Sequence, residues 1–167
     1  FDEMGPIVQA IDLLELKGTE RVLDLFCGLG NFTLAVATRC ASVVGVEVSK
    51  TMVERVLHNA RHNSLDNVSA VAFDLTQPIA EQPFSVESWD TLIVDPPRSG
   101  AKEVLETLPL KNITRVLYVS CNLATLARDA RILIERGFSM THLGIMDMFP
   151  QTYHLETMVL LELKEDG

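Results

Sequence analysis

Arg21-Val22-Leu23-Asp24-Leu25-Phe26-Cys27-Gly28-Leu29-Gly30-Asn31 carries a strand-length apolar run into two glycines, after which the residues take up a helical pattern. A strand that passes through a glycine turn straight into a helix is the opening unit of an open α/β sheet, where missing Cβ atoms let a ligand approach the backbone. The chain repeats this alternation. Further strand-like runs lie at 43–47, 68–73, 91–94 and 116–119, separated by helical patterns at 31–40, 50–63, 101–108 and 123–136. Strands alternating with helices predict a mostly parallel sheet with helices on both faces. A lead-in helix is predicted over 5–17, closed by Lys17-Gly18. After Gly137 the pattern changes: 138–143 and 157–163 read as strands with no helix between them, which predicts an antiparallel hairpin at one edge of a seven-stranded sheet. Residues 77–88, with Pro78 and Pro83, read as irregular.

Composition bounds the function. At 167 residues and 47 % hydrophobic content, the chain is long enough for one well-buried core and short for two, which predicts a single domain spanning 1–167. No apolar run reaches the roughly 18 residues of a membrane span. The three cysteines, Cys27, Cys40 and Cys121, are widely spaced and lack paired metal-ligand spacing, as expected for free thiols in a reducing cytoplasm with no metal site. A net charge of −9 disfavours a chain that grips nucleic acid unaided, because phosphate binding rests on Lys and Arg.

Three clusters carry chemistry. The first is the opening turn, with Asp24, Gly28, Gly30 and Asn31, together with Glu47 at the end of the second strand and Asp74 at the end of the third. Glu47 suits the two ribose hydroxyls of a nucleoside, and Asp74 suits an adenine amino group. A dinucleotide fingerprint needs a third small residue where this chain has Thr33, which counts against a dehydrogenase. This set resembles the site of class I S-adenosylmethionine-dependent methyltransferases, whose Rossmann-like fold matches the predicted sheet. The second cluster, Asp95-Pro96-Pro97-Arg98, follows the fourth strand, and its prolines hold Asp95 extended at a rigid edge. Amino-methylating enzymes have an aromatic residue where Arg98 stands. The third cluster pairs Ser120-Cys121-Asn122, at a strand end, with the segment from Asp147 to Glu156, read as a long connection between the two late strands. Glu156 is a carboxylate entering a strand that must join the core, so it needs a partner or a purpose.

These motifs, with Thr125-Leu126-Ala127-Arg128-Asp129, resemble the RNA uracil-C5 methyltransferase family, and within it the 23S ribosomal RNA branch. The resemblance covers nearly everything from Arg21 onward. It implies S-adenosylmethionine as cofactor, held by Asp24, Gly28, Gly30, Asn31, Glu47, Asp74 and Asp95. It implies Cys121 as nucleophile, Glu156 as the base for the C5 proton, and Asp95, Arg98 and His154 as contacts to the uracil. Chemistry agrees with those roles. Uracil C5 is too weak a nucleophile to take a sulfonium methyl until a thiolate adds at C6, and the C5 proton must then leave to restore the ring.

The resemblance also implies an N-terminal RNA-binding barrel and, in part of the 23S branch, a four-cysteine iron–sulfur cluster. Neither fits before Arg21, and the family's upstream Phe-x-Gln segment is replaced by Phe1-Asp2-Glu3. The expectation is therefore a catalytic-domain fragment acting in the cytoplasm on ribosomal RNA, gripped mainly by other segments, with no membrane or protein partner. A transfer-RNA uracil-C5 methyltransferase and a non-catalytic S-adenosylmethionine- or RNA-binding module are the alternatives.

Overall fold

Four central strands acquire their character from burial on both sides. In the computed structural model, which describes residues 5–149 and 154–165, β1 (Arg21–Leu25), β4 (Thr91–Val94) and β5 (Arg115–Ser120) are almost wholly buried, and β2 (Ser42–Glu47) is mostly so. Parallel strands covered on both faces read as continuous apolar runs, as these do. With β3 (Val68–Ala72), β6 (Phe138–Phe149) and β7 (His154–Leu163) they form one seven-stranded sheet in the order β3-β2-β1-β4-β5-β7-β6. The first five strands pair in parallel, and β7 runs antiparallel to both β5 and β6.

The helices divide between the two faces. Side chains alternate across each strand, so Val22 and Leu23 of β1 join different cores. On one face α1 (Gly5–Asp12) and α2 (Asn31–Ala37) cover Val22, Val43, Ile93 and Leu117, with α3 (Lys50–His62) beside α2 over β2 and β3. On the other, α5 (Lys102–Thr107) and α6 (Leu123–Glu135) cover Leu23, Leu92, Val116 and Leu161. A short helix, α4 (Pro83–Val86), stands inside the stretch predicted as irregular, and Phe84 and Trp89 seal that end of the core.

Two expectations are corrected. The lead-in helix ends at Asp12 rather than Lys17, because Leu13 and Leu14 bond three residues back and Glu15 turns left-handed at φ 48°. The late strands are much longer than predicted, 12 and 10 residues, so Glu156 is a ladder residue and Asp147 stands within β6 at a bulge, neither of them part of a long connection. Pairing continues past Met146 opposite Glu156 to Phe149 opposite His154, across a bulge that absorbs the break in alternation.

Strand order reverses between β1 and β4, which meet directly while their chain neighbours lie on opposite sides. Ligands bind outside the carboxyl ends of strands at such a switch point.

Candidate active site

The turn after β1 is held open by backbone that only certain residues tolerate. Gly28 and Gly30 have φ of 56° and 87°, and a Cβ on Gly30 would stand 2.9 Å from Val56 Cγ2 of α3. Phe26 is also left-handed, at φ 60°, a costly conformation for a bulky side chain and one that marks functional strain. Its ring lines a cavity of about 350 Å³ together with Glu47, Val48, Phe73, Asp74, Thr76 and Asp95. Ends of four neighbouring strands, β1 to β4, therefore surround one space. Its size and largely apolar walls with a few acids match those of small-molecule sites.

The acids differ in how they are held. Glu47 Oε2 accepts from the Ser49 amide at 2.7 Å. Asp74 is exposed and caps its own turn, accepting from Thr76 Oγ1 at 2.7 Å and the Thr76 amide at 3.0 Å, bonds that hold its carboxyl below the usual range. Asp24 lies fully inside, on the α2 side of β1. Its Oδ2 accepts from Thr33 Oγ1 at 2.6 Å, while Oδ1 is buried with no hydrogen-bond partner among the described residues. Burial pushes Asp24 up to about 7 against the opposing effect of Thr33. Thr33, the departure from the dinucleotide pattern, is thus the donor that makes this buried acid tolerable. Asp24, Gly28, Gly30 and exposed Asn31 line the turn rather than the cavity itself.

Asp95 joins this half to the next. Burial, then the charges of Asp24 and of Glu156, push its carboxyl up to about 7. Glu156, on β7, is therefore near enough for its charge to act on Asp95. Ladder register explains how: Ser120 pairs with Thr157, so Glu156 is the next residue along β7 just where β5 gives way to Cys121.

Cys121 is a free, exposed thiol at the tip between β5 and α6. Polar bonds tie that tip down. Ser120 Oγ donates to the Asn122 carbonyl at 2.8 Å and accepts from its amide at 3.0 Å. Asn122 caps α6 through Oδ1, and its Nδ2 donates to the Arg98 carbonyl at 3.2 Å. Exposed Arg98 is thereby fixed beside the thiol through its backbone. His154 opens β7, and its side chain lies outside the described residues. Sequence reasoning missed Phe26 and Phe73 as cavity walls, since neither stands out from the apolar runs that contain it.

A model of the tRNA (Uracil-5-)-methyltransferase family matches residues 6–164. The chain belongs to that family.

Similar uracil-5 methyltransferases include the 23S rRNA (uracil(1939)-C(5))-methyltransferases RlmD of Xanthomonas axonopodis pv. citri, 51 % identical over 93 % of this chain, and of Alcanivorax borkumensis, 48 % identical over 92 %. This chain spans about a third of each relative, 35 % and 34 % of their lengths. Among solved structures, the Pyrococcus abyssi tRNA (uracil-54, C5)-methyltransferase in complex with S-adenosyl-L-homocysteine is 30 % identical with a TM-score of 0.72, over 92 % of this chain and 38 % of that one. A precorrin-6y C5,15-methyltransferase from Geobacter metallireducens superposes at a TM-score of 0.76 over 95 % of this chain and 87 % of that one, but at 10 % identity that likeness speaks for the fold alone. The expected class I methyltransferase fold, mostly parallel with an antiparallel end, is the fold observed.

Proposed function

We propose that this chain is the catalytic domain of a longer cytoplasmic enzyme that methylates C5 of a uracil in 23S ribosomal RNA, using S-adenosylmethionine and a covalent bond between Cys121 and C6. The observation that carries the reading is the β5–β7 ladder, which runs to Ser120 opposite Thr157 and so brings Cys121 and Glu156 to the same strand ends, with Asp95 within electrostatic reach of Glu156.

The residues present suit S-adenosylmethionine. A cationic ligand answers the buried, unpartnered Oδ1 of Asp24, and the cavity between Phe26, Glu47, Val48 and Phe73 suits a nucleoside. When bound, the cofactor supplies a methyl group on a positive sulfur and departs as the neutral thioether. Asp24, Gly28 and Gly30 would hold its amino-acid end, Glu47 its ribose, and Asp74 its adenine. Asn31, exposed at the first position of α2, remains a candidate at the rim.

The chain's own residues do the rest. Cys121, as thiolate, adds to C6 of the uracil and pushes the electron pair of the C5–C6 double bond toward C5 and O4. Asp95 holds the ring edge, and Arg98 and His154 complete the contacts to the base. Once C5 carries the methyl group, Glu156 removes the C5 proton. The released pair re-forms C5–C6, and the bond from C6 to sulfur breaks, returning Cys121 as thiolate. An acidic chain of net charge −9 suits this division of labour, with the RNA grip residing largely elsewhere.

The test is denaturing intact-mass analysis after incubation of the enzyme with S-adenosylmethionine and a 23S RNA fragment carrying 5-fluorouridine. Fluorine cannot leave C5 as a proton does. A stable protein–RNA adduct mapped to Cys121 is expected, and no adduct in a sample that binds both ligands overturns the proposal. Transfer RNA is the second reading, favoured by the Pyrococcus likeness at 30 % identity but less than ribosomal RNA is by relatives near 50 %. Competition between the two RNAs decides it.

A further inference from the structure

One buried polar cluster lies outside the acids assigned above. Asp129 on α6 is fully buried, and its Oδ2 joins two other segments. Its Oδ2 accepts from the Ala101 amide at 2.7 Å, at the start of α5, and from the Tyr118 hydroxyl of β5. Its Oδ1 accepts from Arg128 Nε at 3.0 Å, and Arg128 in turn donates to the Ser99 carbonyl at 2.8 Å. Between these anchors runs the loop that leaves Asp95 and carries Arg98. Gly100, at φ 82°, closes it against the cluster, and a Cβ there would come 2.6 Å from Asp129 Oδ2. Tyr118, the other anchor, stands three residues before Cys121.

Burying a carboxyl is expensive, and well-packed apolar residues would hold three segments together at lower cost. A fully satisfied polar network does what apolar packing does less well, because it admits one geometry. We infer that Asp129 is a positioning residue, which sets the spacing between the Asp95–Arg98 loop and the Cys121 tip and thereby aligns the uracil with the thiol. The inference rests on the proposed methylation reaction. Asn122, at the start of α6, bonds the Arg98 carbonyl and ties down the same loop. Asp95, Pro96 and Pro97 at the near end of the loop line the cofactor cavity, whereas the residues that bond Asp129 and Arg128 lie outside it.

The test is the single-turnover rate of adduct formation with 5-fluorouridine RNA at saturating RNA, per molecule of cofactor-binding enzyme. Asp129→Asn is expected to lower that rate by about 10- to 100-fold, the cost of a misplacement near 1 Å, and to lower S-adenosylmethionine affinity far less. Tyr118→Phe and Arg128→Gln, which keep the buried carboxyl, are expected to lower it less, and they keep the proposal falsifiable if Asp129→Asn does not fold. A wild-type rate in the variants that fold overturns the inference, as does a fall in cofactor affinity that matches the fall in rate. Absence of any adduct in the unmutated enzyme overturns the reaction itself and the inference with it, whereas a normal wild-type adduct with unaffected variants removes only the positioning role.

Discussion

The turns after β1 and β5 each hold a cysteine at the carboxyl end of a strand, and the two thiols meet opposite surroundings. Cys27 is buried, and burial first, then the charges of Asp24 and Glu47, push its thiol up to about 12. Its sulfur occupies the space beside Gly45, 2.7 Å from where a Cβ would stand there. Cys121 is exposed, on a tip held by Ser120 and Asn122. Thiolate is the reactive form, so a thiol buried against carboxylates acts as packing. The same contrast separates the two halves of the sheet. Ends of β1 to β4 line a cavity of small-molecule size, while the β5 tip leaves its thiol exposed, as the proposed reaction with a base presented by RNA requires.

Removing each thiol in turn is the strongest challenge to that contrast. Cys121→Ala is expected to bring methyl transfer down to background with cofactor affinity retained, and Cys27→Ala to keep turnover, as measured by radiolabelled methyl incorporation and calorimetric titration. Loss of cofactor binding in Cys121→Ala would make the exposed thiol structural. Glu156→Gln comes next. Deleting a general base costs about 10²- to 10⁴-fold in turnover. Because the block falls after thiolate addition, ordinary uridine RNA should then accumulate as a covalent adduct visible on a denaturing gel. A slow variant with no adduct would move Glu156 to an earlier step.

The enclosed half also carries a pH signature. Asp24 and Asp95 are both raised to about 7 from 3.8, so between those values the unfolded chain has released protons that the folded chain keeps. Folding stability is therefore greatest below pH 4 as far as these groups decide it, and it falls as pH rises toward 7, by about 1 kcal/mol per pH unit for each. Urea unfolding at pH 5, 6, 7 and 8 should show the decline without added cofactor and a shallower one with S-adenosylmethionine, whose positive charges favour the ionised acids. A decline of equal slope under both conditions would separate the acids from the cofactor.

Much of the fold was legible because the central strands are buried on both faces, which writes them as unbroken apolar runs. The cofactor turn was legible because Gly28 and Gly30 stand between such a run and a helix. The hairpin was legible only in outline, since Asp147 interrupts the alternation and the bulge that accommodates it is a property of pairing, not of either strand alone. Asp24 was read as a cofactor contact, but its depth, and the reason for Thr33, depend on α2 folding back over β1. Asp129 stands within a recognisable motif, yet its role is not legible there, because its partners Ala101 and Tyr118 come from separate elements that only the assembled sheet brings together.

The smallest effect is expected inside the β1 turn, where two glycines with similar conformations differ in what surrounds them. Gly28 has no heavy atom within 4 Å of a Cβ position, whereas at Gly30 the Val56 side chain stands 2.9 Å away. Both are left-handed, so an alanine at either costs about 1–2 kcal/mol in backbone strain. At Gly30 the β-branched Val56, buried and stiff at χ1, has little room to yield, and overpacking adds about 1 kcal/mol or more. Gly30→Ala should therefore unfold at lower urea than Gly28→Ala. Gly28→Ala, which leaves α3 undisturbed, should show its loss mainly in cofactor affinity, because its new methyl group enters the open space beside the turn where the proposed function puts the amino-acid end of the cofactor. Equal urea midpoints with unchanged affinity in both variants would show that the turn yields to its ligand, and the enclosed half would then be less rigid than its buried packing suggests.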